Sequence, residues 1–370
     1  MESTINKEKK LFTPGPLTTS KTVKQAMLRD FGSRDNEFIS TVKSIRERLL
    51  KLSKVEKGEY EAILMQGSGT FGIESVISST VPSDGKLLII INGAYGQRIK
   101  KIAERLNISV IELVYNEDSI PNLDDIDKVL AEDNEVTNVA VVHCETTTGI
   151  INPIFEIGQV VKKYNKEYIV DAMSSYGAYE INLDNNEIDF LISSSNKCIE
   201  GVPGFSFILA RTDVLKTKQN ISRSLSLDLY EQWAGLEKNG QFRFTPPTHS
   251  IIAFQQALNE LDEEGGIPGR AKRYGNNHTV LIDGMRKLGF VEYIDEQHQG
   301  YIITSFLYPS HDNFSFEKFY SLLSQKGLVI YPGKLSNVDC FRIGNIGQLF
   351  EEDMIEILNA IEEVKKEMNF

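Results

Sequence analysis

The chain has 370 residues, enough for a large core and two domains, and its 41% hydrophobic and 25% charged content is that of an ordinary globular protein. A formal net charge of −12 argues against a protein that grips nucleic acid or an anionic membrane, while leaving room for a local positive pocket for a small anion. The three cysteines, Cys144, Cys198 and Cys340, are too few and too widely spaced to suggest a disulfide framework or a zinc site.

The polar start MESTINKEKK lacks the apolar stretch of a signal peptide, and runs such as Leu87–Ile91 are far too short to span a bilayer. The expectation is a cytoplasmic protein with reduced thiols and no metal site. From about Gln66 to Leu209, short apolar runs alternate with helical patterns. A Gly-rich turn, Gln66-Gly67-Ser68-Gly69-Thr70, precedes a helix over Phe71–Ser79. Strands are predicted at Leu87–Ile91, Val110–Val114, Val139–Val142, Tyr168–Val170, Phe190–Ile192 and Phe205–Leu209, with helices at Tyr95–Leu106 and Ile154–Tyr164 between them. Buried strands alternating with helices predict an α/β domain with a mostly parallel sheet covered on both faces.

Beyond Leu209 the pattern changes. Ile251, Phe254, Leu258 and Leu261 share one helical face that ends at Gly265-Gly266, and a second helix is predicted over Ala271–Leu288. Strand-like runs follow at Gly300–Leu307 and Leu328–Tyr331. The chain ends in an amphipathic helix with Met354, Ile357, Leu358, Ile361 and Val364 on one face. A domain boundary is expected near Gly265: a large domain over 20–264, and a small one over 265–370 joined by residues 1–19.

Three segments carry candidate chemistry. Ser193-Ser194-Ser195-Asn196-Lys197-Cys198 places a lysine just beyond a buried strand, where ligands of open α/β sheets sit. A desolvated amine there is a nucleophile toward an aldehyde, although the segment alone reads first as a surface lysine beside a serine-rich turn. Asp171 closes another apolar strand, as a functional acid or as a helix cap. The Gly67–Thr70 turn offers backbone N–H groups and two hydroxyls to a phosphate. It is no P-loop, since Gly-Lys-Ser/Thr is missing. It is set aside as a dinucleotide site because it lacks a strong preceding strand and a well-placed downstream acid.

A phosphate cradle, a pyridinium partner and an imine lysine, in that order on one α/β domain, closely resemble the class V aminotransferases, pyridoxal 5'-phosphate enzymes of fold type I. The resemblance covers nearly the whole chain. It includes Leu11–Thr18, Gln66–Thr70, Asn92–Arg98, His143–Gly149, Val170–Ser175, Asn196–Gly204, Arg243–His249 and Phe341–Gly347. It implies a seven-stranded, mostly parallel sheet plus a smaller α+β domain. It implies transfer of the amino group of 2-aminoethylphosphonate to pyruvate, with another class V aminotransferase (alanine–glyoxylate or serine–pyruvate) as the alternative.

The resemblance further implies that Lys197 holds the cofactor as a Schiff base and Asp171 pairs with its ring nitrogen. Ser68, Gly69 and Thr70 bind its phosphate, Tyr95 stacks on the ring and Thr146 contacts the ring hydroxyl region. Thr245 reaches the phosphate of the other subunit in a homodimer. Arg342, in a segment whose glycines would admit a ligand, holds a substrate acid group, and Arg34 assists. His143 reads as a satisfied core histidine rather than a base, and Cys198 as packing. A lyase such as a cysteine desulfurase would need a mobile cysteine; Cys340, the candidate, lies in a predicted strand.

Overall fold

A computed structural model of the chain describes residues 8–333, 335 and 338–370. Its centre is a seven-stranded sheet in the spatial order Tyr60–Gln66, Phe205–Arg211, Phe190–Ser194, Glu167–Asp171, Val136–Val142, Lys86–Ile91 and Ser109–Val114. Phe205–Arg211 runs antiparallel to both neighbours, and the other pairs are parallel. This is the mostly parallel sheet expected. The inner strands are buried on both faces, which is why they read as unbroken apolar runs.

Tyr60–Gln66 escaped the sequence reading. It carries Glu61, a charge that argues against a buried strand, yet Glu61 is buried with its carboxylate 3.2 Å from Arg46. Arg46 also donates through Nε to the Ala62 carbonyl at 2.6 Å, so the charge enters the interior already paired. The Gly-rich turn therefore does follow a strong strand, and that ground for setting aside a dinucleotide site fails. The topology supplies a better one: among the described residues this strand pairs with one neighbour, and that one is antiparallel, whereas a dinucleotide-binding turn leaves a strand flanked by parallel ones.

The helix Thr248–Glu263 buries Ile251, Phe254, Leu258 and Leu261 as predicted. Gly265, left-handed at φ 94°, ends it, and Gly266–Lys287 follows directly. One apolar core gathers residues from Val23 to Leu261 around the sheet; a second joins Phe12 to residues from Leu281 to Met368. The predicted strand Leu328–Tyr331 is two strands. Leu328–Val329 pairs with Lys10–Leu11, and Tyr331–Pro332 pairs with Cys340–Gly344. The strand predicted from Gly300 begins at Ile303. Among the described residues, no helix is long and apolar enough to cross a membrane.

Candidate active site

Five parallel strands deliver their carboxyl ends to one place. Ser68, Gly69 and Thr70 follow Tyr60–Gln66, Tyr95 follows Lys86–Ile91, and Cys144 follows Val136–Val142. Asp171 ends Glu167–Asp171, and Lys197 lies three residues beyond Phe190–Ser194. Side chains from all five segments line a cavity of about 200 Å³.

Lys197 is half-buried in the cavity wall, and its Nζ donates to the Pro14 carbonyl at 2.6 Å. Burial pulls its amine down to about 8, against the opposing pull of nearby groups that include Asp171. Asp171 is buried, and its Oδ1 accepts the Met173 N–H at 2.9 Å. Burial pushes its carboxyl up to about 6, while the Met173 bond and the charges of Arg98 and Lys197 hold it down. Opposite these groups, Ser68 stands at the N-cap of the helix Gly69–Thr80 but makes no side-chain cap bond. The free N–H groups of that first turn and the Ser68 hydroxyl face a ready anion position.

Residues 18–342 match the profile of the family Aminotransferase class-V. The chain belongs to the class V aminotransferases. It is 52% identical over 354 residues, 95% of this chain and 97% of the relative, to the 2-aminoethylphosphonate–pyruvate transaminase of Bacillus cytotoxicus. The protein of the same name from Lysinibacillus sphaericus is 51% identical over 353 residues, 95% of this chain and 96% of that one. Among solved structures, the ureidoglycine–glyoxylate aminotransferase of Bacillus subtilis superposes with a TM-score of 0.89 at 24% identity, over 98% of this chain and 94% of that one. The alanine–glyoxylate aminotransferase of a Nostoc species superposes with a TM-score of 0.88 at 22% identity, over 98% and 97%. At those identities the structural likeness is one of fold, that of fold type I.

Class V aminotransferases are pyridoxal phosphate enzymes, and the residues present here fit that group. The cavity offers an amine, an acid, an aromatic ring and a helix N-terminus around a small volume. Among the described residues the buried Thr146 Oγ1 has no hydrogen-bond partner, an orphan two positions from the cavity residue Cys144. Thr146 itself is not part of the cavity lining.

The aminotransferase keeps Arg342 further back. Its Nε donates to Pro332 O at 3.0 Å and its Nη1 to Thr146 O at 2.7 Å, and it shares a side-chain hydrogen bond with Tyr95. Its neighbouring glycines leave no room for a ligand, contrary to the sequence reading. A Cβ on Gly344 would stand 2.5 Å from Thr13 O, and one on Gly347 would stand 2.9 Å from Thr18 O. They let the N-terminal segment pack against this strand instead.

Arg34 and Thr245 do not line the Lys197 cavity of their own chain. Both are exposed, in a separate recess shared with Gln241, Arg243 and Phe244. His143 is buried with Nδ1 2.8 Å from Ser175 Oγ, and burial lowers it to about 4, as a packed neutral histidine requires. Cys198 is buried with Sγ 3.1 Å from Ser174 O, and Cys340 is buried in its strand.

Two residues at the site carried no assigned role in the sequence. Glu145 is fully buried and caps the helix Ala94–Arg105, accepting the N–H groups of Tyr95 at 3.1 Å and Gly96 at 2.9 Å. Burial lifts its carboxyl to about 7, and those two N–H groups oppose the rise. Arg98 donates to Thr70 Oγ1 at 3.3 Å and lies 4.9 Å from the centre of the Tyr95 ring. The i,i+3 spacing of Tyr95 and Arg98 on a helix was the available signal.

Proposed function

We propose that this aminotransferase moves the amino group of 2-aminoethylphosphonate to pyruvate, releasing phosphonoacetaldehyde and L-alanine. The observation that carries the proposal is the 52% identity, over 95% of this chain and 97% of the relative, to a protein of that name.

Pyridoxal phosphate, when bound, supplies an aldehyde carbon and an electron-withdrawing ring. Ser68, Gly69 and Thr70 hold its phosphate at the helix N-terminus. Asp171, ionised above its raised value of about 6, keeps the ring nitrogen protonated. Tyr95, whose N–H is held by Glu145, would contact the ring from the cavity wall, and Thr146 would serve its hydroxyl region, as the family likeness implies. Lys197 Nζ, lowered to about 8, has about a tenth of its molecules neutral at pH 7, far more than an ordinary lysine, so it serves as nucleophile. With cofactor and donor bound, the same nitrogen would take the proton from the amine-bearing carbon and pass it to the cofactor's aldehyde-derived carbon within that half-reaction, and would run the transfer in reverse for pyruvate. Arg342, hydrogen-bonded to the cavity residue Tyr95, orients the acid group of the substrate.

The active unit in this reading is a cytoplasmic homodimer, with Thr245 supplied to the cofactor phosphate of the other subunit and Arg34, in the same exposed recess, assisting with the substrate anion. The exposure of both positions supports this. The two apolar cores support the division into a domain of 20–264 and one of 265–370 with 1–19. The buried position of Cys340 disfavours the desulfurase reading.

The test is a donor panel. Purified protein with pyridoxal phosphate and pyruvate is given 2-aminoethylphosphonate, serine, glutamate or cysteine, and alanine is measured. The phosphonate should win by a wide margin; an α-amino acid in first place would leave the family right and the substrate wrong.

A further inference from the structure

The loop that carries Lys197 is held from the far side by one face of the helix Gly266–Lys287. Arg270, Arg273, Tyr274 and Asn277 are spaced i, i+3, i+4 and i+7, so they project together. Arg270, 1% exposed, donates through Nη1 to the Cys198 carbonyl at 2.6 Å. Glu200, 2% exposed, receives Arg273 Nη2 at 2.7 Å and a short bond from the Tyr274 hydroxyl. The Glu200 N–H in turn closes on the Lys197 carbonyl at 2.7 Å. Glu264 balances the charge, meeting Arg270 at 2.6 Å and Arg273 at 2.7 Å. Buried Glu200 and half-buried Glu264 thus face buried Arg270 and half-buried Arg273, with their polar atoms paired.

The same face grips the segment just past Arg342. Arg273 Nη1 donates to Gly347 O at 2.5 Å, and Tyr274 Oη accepts the Gly347 N–H at 3.1 Å. Asn277 donates to Asn345 O at 3.1 Å. Glu200 sits at φ 66°, a left-handed conformation uncommon for a residue with a side chain, and its carboxylate anchors that turn.

We propose that Glu200 is a positioning residue: clamped by Arg273 and Tyr274, it fixes the Lys197 loop to the Arg342 segment, so that the cofactor end and the substrate end of the site keep one spacing. This rests on the reading of Lys197 above. Glu200 touches neither cofactor nor substrate and acts through the Lys197 carbonyl.

The experiment compares holoenzyme of wild type, Glu200→Gln, Glu200→Gly and Arg273→Lys. Glu200→Gly accepts the positive φ without strain, so it isolates the lost anchor; Arg273→Lys keeps the charge and loses the fork. Borohydride mapping of wild type first fixes which lysine carries the cofactor; a result other than Lys197 would overturn the earlier reading and this proposal with it, whereas the exchange measurements test this proposal alone. With Lys197 established, hydrogen exchange should quicken together in peptides covering 195–204 and 343–349, and stay unchanged over the sheet strand Lys86–Ile91. The pH midpoint of the cofactor absorbance should move, and kcat should fall roughly ten- to a hundredfold with little change in KM for pyruvate. The proposal is overturned if exchange rises in only one of the two segments, rises evenly along the chain, or is unmoved in Glu200→Gly and Arg273→Lys alike.

Discussion

Lys197 Nζ and the Pro14 carbonyl meet at 2.6 Å across 183 positions of sequence. The segment Thr13–Pro16 lies directly over the amine, and Gly15, at φ 113°, is what lets it approach. A Cβ there would stand 2.7 Å from Lys197 Cδ and 2.8 Å from Nζ. Gly15→Ala should therefore push the lysine aside and strain the turn, at a cost on the order of 1–3 kcal/mol. Cofactor occupancy and borohydride-fixed pyridoxyl at Lys197 should both drop, and Lys197→Ala should abolish the covalent link with the fold intact. Peptide mapping reads both; a pyridoxyl group on a different lysine would refute the assignment.

Asp171 offers a prediction with opposite signs for stability and activity. Its folded value, about 6, lies above its ordinary 3.8, so the buried carboxylate destabilises the cofactor-free fold once pH exceeds both values. The cost is fully present above about pH 6 and fades as pH falls toward 3.8, and the displacement corresponds to about 3 kcal/mol. Asp171→Asn should raise the melting temperature of the cofactor-free protein at pH 7 and lose that advantage near pH 4. Turnover should fall on the order of a hundredfold or more, as for lost preorganised electrostatics. Near-normal turnover would remove Asp171 from its role at the ring nitrogen.

The exposed Thr245 gives a test of assembly. Mixing Lys197→Ala and Thr245→Val subunits should form heterodimers with one doubly damaged and one intact site. Random pairing should restore about a quarter of wild-type activity. Heterodimers that form but stay inactive would mean that each chain builds its site alone.

Arg342 has its Nε and Nη1 committed to Pro332 O and Thr146 O. Arg342→Lys removes the planar fork, and one ammonium cannot replace both bonds and still face a substrate acid. Loss of a charge-assisted bond is worth about 1.5–3 kcal/mol, so kcat/KM for the acidic donor should fall roughly tenfold to over a hundredfold. An unchanged kcat/KM with 2-aminoethylphosphonate would show that the acid group is held elsewhere.

Much of this protein could be read from the chain alone. Five of the seven sheet strands announced themselves because an inner strand is buried on both faces and must be apolar throughout, and the partly exposed edge strand Ser109–Val114 did so by its short apolar run. The helix after Gln66 and the strand-end positions of Asp171 and Lys197 follow from the same local rules. Tyr60–Gln66 was missed because its charge is neutralised by Arg46, a partner 15 positions from Glu61 that no window of sequence brings near. Glu145 was visible as a residue, but its work at the N-terminus of a helix 49 positions away from it was not. The glycines beside Arg342 invite a ligand when read along the chain; in space they admit the backbone of Thr13 and Thr18. The pattern of apolar and turn residues determined the elements, since burial and backbone sterics act locally. Only the tertiary structure decided which polar groups meet, because a buried charge is tolerated where its partner sits, and that partner is set by packing rather than by sequence distance.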